Sequence, residues 1–221
     1  MCWNQQTSII TFILGTAFNL FIIFYFQETI ITLLAIIWEW FLLMQVFEAI
    51  AWGSQPNSGD SPGECSGKNK IAAKGAIVSA LVQPILIAFL LIVFTPVSVQ
   101  NKIMAMVVVF AYICWSIYVL NQSPPFECLI PNKDCPHLQL DWWDNFTGGV
   151  IPYIITIIVV VILLLRPMDM AWFLIIAVGI VALLSKIFYS CGAGSIWCWF
   201  VVFAPVVTGL YWYYTRGPPK R

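Results

Sequence analysis

Long apolar runs alternate with short polar segments along the whole chain, and this pattern predicts membrane-spanning helices. A helix that crosses a hydrocarbon core of about 30 Å needs roughly 17–25 apolar residues. Seven runs of about this length occur, so the sequence predicts an all-α, polytopic transmembrane helical bundle of about seven spans. The predicted spans cover residues 9–26, 29–52, 71–95, 103–120, 149–165, 168–189 and 195–214 of a single transmembrane domain, residues 1–221.

The composition supports a membrane environment. Hydrophobic residues make up 61% of the chain and charged residues only 9%, against about 45–50% and about 25% in soluble domains. The aromatic share of 16% includes many Trp and Tyr residues, which favour the two membrane–water interfaces. The formal net charge is zero, so the chain has no overall attraction for nucleic acid. We therefore expect the lipid bilayer, and no nucleic acid, as a partner.

Loop cysteines set the predicted orientation, because the basic residues divide evenly between the two sides of the membrane. Four cysteines fall in the loops on the N-terminal side: Cys65, Cys128, Cys135 and Cys191. Cysteines that share one side are typical of disulfides in an oxidising compartment. We therefore predict an integral membrane protein with an extracytoplasmic N-terminus and a cytoplasmic C-terminus.

The four loop cysteines allow three pairings. We favour Cys128–Cys135 together with Cys65–Cys191, because the first pair shares a loop that Pro131 turns. The remaining cysteines are expected to be thiols, namely Cys2, Cys114 and Cys198.

Polar side chains inside the second predicted span are the first candidates for function, because ionisable groups are costly within a bilayer. This span contains Glu39, Gln45 and Glu48. Helical spacing places Gln45 and Glu48 on one stripe, and places Glu39 on the opposite face, about 13 Å away from Glu48 along the axis. The two carboxylates therefore cannot form an acid/base pair on this helix. We expect Gln45 and Glu48 to face protein and not lipid.

Two lysines lie at the predicted depth of Glu48. Lys74 begins the third predicted span and Lys186 ends the sixth, both near the extracytoplasmic surface. We expect Glu48 to form an ion pair with one of these lysines that holds two helices together. The alternative interpretation is a ligand or ion site. A lysine near an interface can also extend its charge into water without a partner.

Glu39 and Gln83 are placed at a similar depth by residue count. Gln83 precedes Pro84, which lacks an N–H group and leaves a backbone carbonyl one turn earlier without its donor. No Lys or Arg is predicted at this depth, so we expect Glu39 to be a neutral acid that donates to Gln83 or to that carbonyl. A proton or cation site at Glu39 is the alternative hypothesis.

Most enzyme signatures are absent from the sequence. The only histidine is His137, which excludes metal sites built from several histidines. No CxxC, HExxH or glycine-rich phosphate loop occurs, which removes the usual thiol, metalloprotease and nucleotide motifs. We therefore predict that the protein is not an enzyme and that it holds no metal or cofactor.

Three stretches carry a resemblance to a known family: residues 41–52, the residues around Gln83–Pro84, and residues 190–205. They are similar to an uncharacterised family of seven-span membrane proteins of large DNA viruses of algae and other protists. The resemblance implies a virion or host membrane as location, and other membrane or capsid proteins as partners. It implies no mechanism, because the family has no known activity.

These observations predict a multi-pass membrane protein that is a structural or scaffold component of a membrane. The alternative is a channel or transporter that uses Glu39, Gln45, Glu48 and Gln83. A receptor or a membrane enzyme is less strongly indicated. A polar cavity around Glu39 and Gln83 favours transport, whereas a bundle in which these groups are paired with protein groups favours a scaffold.

Overall fold

The chain folds as seven α-helices within the part that the structure describes. A computed structural model gives residues 4–55, 66–122, 128–129, 131, 138, 150–188 and 193–218. The helices are α1 (Gln5–Phe26), α2 (Thr29–Trp52), α3 (Gly67–Phe94), α4 (Val99–Gln122), α5 (Val150–Leu164), α6 (Met168–Phe188) and α7 (Ala193–Arg216). The predicted all-α fold is confirmed.

Five of these helices contain segments that are long and apolar enough to cross a membrane: Gln5–Phe26, Thr29–Trp52, Gly67–Phe94, Val99–Tyr118 and Met168–Ser185. The apolar helix Ile151–Leu164 is shorter. By helix length and hydropathy the chain is therefore a multi-pass membrane protein that contacts the lipid bilayer.

Polar caps extend two helices beyond the apolar runs. The backbone N–H of Thr7 donates to the side chain of Asn4 at 2.8 Å, so α1 begins at Gln5 and not at residue 9. The backbone N–H of Asn69 donates to the hydroxyl of Ser66 at 3.2 Å, so α3 begins at Gly67 and not at residue 71. Such caps satisfy backbone donors that have no partner in the first turn.

Helix α2 lies at the centre of the fold. It packs against α1 on one side, α3 on another and α7 on a third. Helices α3, α4 and α5 pack against one another, and α6 packs against α5 and α7. Because α2 is surrounded, side chains on several of its faces are buried, among them Ile31, Ala35, Leu42 and Ala51.

Helices α4 and α6 lie at the edge of the fold and expose large apolar side chains. Examples are Met106 and Phe110 on α4, and Trp172 and Ile176 on α6. Exposed apolar faces of this extent would be unfavourable in water. In a bilayer they face lipid tails, which agrees with the predicted membrane environment.

Glycines bring α2 close to two of its neighbours. A Cβ atom added to Gly15 of α1 would lie 2.5 Å from Leu42 Cδ1 of α2. A Cβ atom added to Gly75 of α3 would overlap the ring of Phe47. Small residues allow this close approach between helices in membranes, where van der Waals packing is a main source of association.

Candidate functional site

The polar residues of α2 differ in their exposure. Gln45 and Glu48 are 3% and 2% exposed, so both lie inside the bundle as expected. Glu39 is half-buried. Gln83 of α3 is also buried, whereas Lys74 of the same helix is exposed. The four acidic and amide groups therefore lie at or within helix interfaces.

Helix α1 presents small and polar residues to the rest of the bundle. Its buried residues recur every three or four positions, as expected for one face of a helix: Ser8, Thr11, Gly15, Asn19, Ile22 and Phe26. The first four of these are small or polar. The interface between α1 and α2, which we call the α1–α2 seam, therefore contains hydrogen-bonding groups inside a largely apolar helix pair.

The first contact of the seam joins Thr11 to Gln45. The hydroxyl of Thr11 lies 3.1 Å from Gln45 Oε1 and donates to it. The same hydroxyl lies 2.8 Å from the backbone carbonyl of Thr7 and 3.0 Å from that of Ser8. One hydroxyl proton is thus shared among three acceptors, which weakens each individual bond but keeps Thr11 oriented towards α2.

The second contact of the seam binds both oxygens of Glu39. The hydroxyl of Thr16 donates to Glu39 Oε1 at 2.7 Å. The amide Nδ2 of Asn19 donates to Glu39 Oε2 at 2.8 Å. Glu39 lies near the middle of α2, which runs Thr29–Trp52, so this cluster lies near the middle of the membrane.

The predicted pairing of Glu39 with Gln83 is wrong. Gln83 Oε1 instead accepts from the hydroxyl of Tyr153 on α5. The backbone carbonyl of Ser79 accepts from Trp40 Nε1 at 3.0 Å. It is adjacent to the carbonyl that Pro84 leaves without a donor. Residues 39 and 40 of α2 are separated by about 100° of rotation, so Trp40 faces α3 while Glu39 faces α1.

The structure does not pair Glu48 with Lys74. Lys74 is exposed, and the ion pair found in the described part of the chain joins Arg216 to Asp169 at 2.6 Å. Glu48 is buried and is engaged by other groups. The side chain of Lys186 lies outside the described residues, so its pairing with Glu48 remains a prediction.

A second polar cluster, which we call the α3–α5 cluster, lies among α3, α4 and α5. Tyr153, which binds Gln83, is close enough to Tyr112 of α4 for an electrostatic interaction. Ser116 follows Tyr112 by one turn on the same side of α4. Both hydroxyls are buried, and neither makes a well-formed hydrogen bond. The hydroxyl of Ser79, one turn before Gln83, is also buried without a partner.

A third set of polar side chains holds a loop segment against the ends of α2 and α3. The side chain of Gln55 donates to the carbonyls of Ala51 and Leu129 at 2.8 and 2.9 Å. Asn69 contacts Leu129 as well. Leu129 and Leu138 are buried against alanines of the two helices. This arrangement covers one end of the helix pair and shows no feature of a ligand site.

The cysteine predictions are tested only in part. Cys114 is a free, exposed thiol, as predicted. Cys128 is disulfide-bonded, and no disulfide joins two of the described cysteines. The predicted partners Cys65, Cys135 and Cys191 lie outside the described residues, so the pairing remains a prediction.

Among the described residues, no group of three or more His, Cys, Asp or Glu side chains comes together as a metal site would require. His137 lies outside the described residues. The seam and the α3–α5 cluster rely on carboxyl, amide and hydroxyl groups instead.

Four residues of these clusters are not among those predicted from the sequence: Thr16, Asn19, Tyr112 and Tyr153. A signal for two of them was available in the first span, where polar residues recur on one side of an otherwise apolar helix. The four-residue spacings of Ser79 with Gln83 and of Tyr112 with Ser116 are a similar signal, since such residues share a helix face.

Comparison of the chain with family models, with curated proteins and with solved structures finds no match. The resemblance to seven-span proteins of large DNA viruses therefore remains a prediction, and the function has to be argued from the arrangement of the side chains.

Proposed function

We propose that this multi-pass membrane protein is a structural or scaffold component of a membrane. The observation that carries the proposal is the pairing of polar groups across the α1–α2 seam. Glu39 is bound on both oxygens and Gln45 accepts from Thr11. Hydrogen bonds between membrane helices contribute about 0.6 kcal/mol on average, so these contacts fix the helices relative to one another.

Further polar links join other helix pairs. Trp38 Nε1 of α2 donates to Thr208 Oγ1 of α7 at 3.2 Å. Asn101 Nδ2 of α4 donates to the carbonyl of Leu163 on α5 at 3.0 Å. Tyr153 connects α5 to α3 through Gln83. Side chains that link helices in this way support a rigid body that other proteins can assemble on.

The location and partners belong to the same proposal. The resemblance favours a virion or host membrane, with other membrane or capsid proteins as partners. A disulfide at Cys128 favours an oxidising environment for the loop that carries it, and hence an extracytoplasmic N-terminus and a cytoplasmic C-terminus. Cysteine-reactive labelling from each side of the membrane tests this orientation.

The scaffold proposal is tested by purifying the tagged chain from its native membrane in a mild detergent. We expect it to migrate in a complex of defined stoichiometry that remains intact at high salt. The same preparation is then reconstituted into liposomes and assayed for ion and solute flux. A chain that purifies alone and also conducts would contradict the proposal.

A channel or transporter is the second candidate function, and buried hydroxyls that make no well-formed hydrogen bond favour it. They are those of Tyr112, which interacts with Tyr153 of the Tyr153–Gln83 pair, and of Ser116, one turn after Tyr112. Such hydroxyls are normally satisfied by protein or water, and a water molecule needs two to four polar partners. A hydrated path through this region would supply them.

Flux through proteoliposomes tests the second candidate. If the α3–α5 cluster forms a path, Gln83→Leu abolishes flux, whereas Tyr118→Phe leaves it unchanged because Tyr118 is exposed on the outside of α4. Flux that is no higher than in empty liposomes would eliminate transport through this cluster.

A further inference from the structure

We propose that Glu39, Thr16 and Asn19 form a binding site for one monovalent cation, a proton or a sodium ion, near the middle of the membrane. The three side chains belong to α1 and α2, and the Glu39 carboxyl oxygens lie 2.7 Å from Thr16 Oγ1 and 2.8 Å from Asn19 Nδ2. The site does not depend on the proposed scaffold role, since a structural membrane protein can hold a bound cation.

The charge of the Glu39 carboxyl group favours a bound cation. Glu39 carries an acidic group at mid-membrane depth, and an ionised carboxyl group is costly there unless another charge compensates it. The ion pair found in the described part of the chain involves other residues. A small cation bound at Glu39 would supply the missing positive charge.

None of the helices packed against α2 places a cationic side chain at the level of Glu39. Helix α1 has no charged residue, and its titratable residue Tyr25 lies at its end. On α3 the charged residues stand in the first turns, and on α7 the tyrosines and the one charged residue stand in the last turns. These groups are Lys68, Lys70 and Lys74 on α3, and Tyr211, Tyr213, Tyr214 and Arg216 on α7. The other acidic residue of α2, Glu48, lies nearer its C-terminal end.

The same cluster contains a side-chain oxygen atom that has no hydrogen-bond partner. Asn19 is 2% exposed, and its Nδ2 donates to Glu39 while its Oδ1 has no hydrogen-bond partner. A buried carbonyl oxygen without a partner is unusual in a folded protein. Rotation of the amide group by 180° exchanges the two atoms and brings Oδ1 to the Glu39 carboxyl group.

The rotated amide would complete a set of oxygen ligands for a cation. The ligands are the carboxyl oxygens of Glu39, the hydroxyl oxygen of Thr16 and Oδ1 of Asn19. Hard cations prefer such oxygen ligands, and a single carboxylate balances one positive charge. In the empty state Nδ2 donates to the carboxylate, and in the occupied state Oδ1 faces the cation, so occupancy and amide orientation change together.

The position of Glu39 makes the site accessible to a chemical probe. Glu39 and Thr16 are both half-buried, so the carboxyl group lies at the edge of the α1–α2 seam. Dicyclohexylcarbodiimide partitions into bilayers and reacts with protonated carboxyl groups. The acid adds across the carbodiimide, and the adduct rearranges to a stable N-acylurea that mass spectrometry detects on the peptide.

The experiment treats the full-length protein in liposomes with dicyclohexylcarbodiimide at several pH values, with sodium chloride or choline chloride. We expect Glu39 to be labelled, and the labelling to decrease as pH rises. If sodium is the bound cation, sodium chloride suppresses the labelling at least several-fold more than choline chloride does. If the proton is the bound cation, the two salts act equally. Glu39→Gln should abolish the labelling of the peptide that contains residue 39. The exposed carboxyl group of Glu28 is an internal control.

A second variant tests the role of the amide oxygen. Asn19→Ala keeps Glu39 and Thr16 and removes Oδ1, so the proton or sodium concentration at half-maximal labelling should shift about tenfold. Leu20→Ala is the matched control, because Leu20 lies next to Asn19 on the exposed side of α1. Labelling of Glu39 that is absent at every pH, or that does not respond to pH, sodium or Asn19→Ala, would overturn the proposal. If Asn19→Ala does not fold, the wild-type dependence on pH and sodium decides it.

Discussion

Asn69 pairs with the backbone of Leu129 in both directions. The N–H of Leu129 donates to Asn69 Oδ1 at 2.8 Å, and Asn69 Nδ2 donates to the carbonyl of Leu129 at 3.1 Å. The side-chain amide thus satisfies both backbone groups of one residue, as a neighbouring strand would. Because Asn69 is fully buried, water cannot replace it, and the segment at Leu129 is fixed to the first turn of α3.

Asn69→Ala should therefore lower the free energy of unfolding by about 1–3 kcal/mol, since it leaves the backbone N–H of Leu129 without its acceptor. Hydrogen exchange at the Leu129 amide should also accelerate. Lys70→Ala is the control, because Lys70 is the exposed next residue. Equal exchange rates in the two variants would show that Asn69 does not hold the segment.

Gly15 should not tolerate a larger side chain. Its missing Cβ leaves room for Leu42, which is fully buried and cannot move freely. Gly15→Leu should destabilise the protein by about 1–3 kcal/mol, as overpacking usually does, and Leu42→Ala should recover part of the loss. Gly179→Ala should be neutral or stabilising, because nothing lies near that position. Thermal unfolding in detergent measures the three variants.

The bond between Trp38 and Thr208 should contribute to the packing of α7 on α2. Thr208→Val keeps the shape of the side chain but removes the acceptor of Trp38 Nε1, and should cost about 1 kcal/mol. Thr208→Ser keeps the hydroxyl and should retain that bond. Tryptophan fluorescence during denaturant titration follows the change. Equal behaviour of the Val and Ser variants would show that the bond is unimportant.

Two tyrosines with buried hydroxyls should respond differently to the loss of those hydroxyls. Tyr153→Phe removes the donor to Gln83 Oε1, which leaves a buried acceptor unsatisfied and should cost about 1–3 kcal/mol. Tyr112→Phe removes a hydroxyl that makes no well-formed hydrogen bond and should leave the melting temperature unchanged or raise it. A drop in melting temperature for Tyr112→Phe would instead indicate bound water and would favour the transport candidate.

The ion pair between Arg216 and Asp169 should contribute little to stability. Its side chains are 40% and 43% exposed, and exposed ion pairs are usually worth less than about 1 kcal/mol. Arg216→Ala should therefore change the melting temperature by only a small amount, and this change should shrink further at high salt. A large effect that persists in high salt would contradict this expectation.

The helical architecture followed from the sequence because a bilayer permits few alternatives. Backbone groups in hydrocarbon must be satisfied within the segment itself, so a long apolar run such as Thr29–Trp52 has to be a helix. The starts of α1 and α3 were less predictable. They depend on whether Asn4 and Ser66 cap a helix, and the hydropathy of the run does not record this.

The burial of Gln45 and Glu48 could be anticipated for a similar reason, because lipid cannot bind a polar side chain. The partner of Glu39 could not be anticipated from the sequence. Residue count gives the depth of a side chain in the membrane and its rotation around its own helix axis, but it does not identify the helix that packs against that face. The tertiary structure placed α1 beside Glu39 and α5 beside Gln83. The packing of α1 brings Thr16 and Asn19 to the face of α2 from which Glu39 projects. These two residues therefore bind the Glu39 carboxyl group, and Gln83 does not.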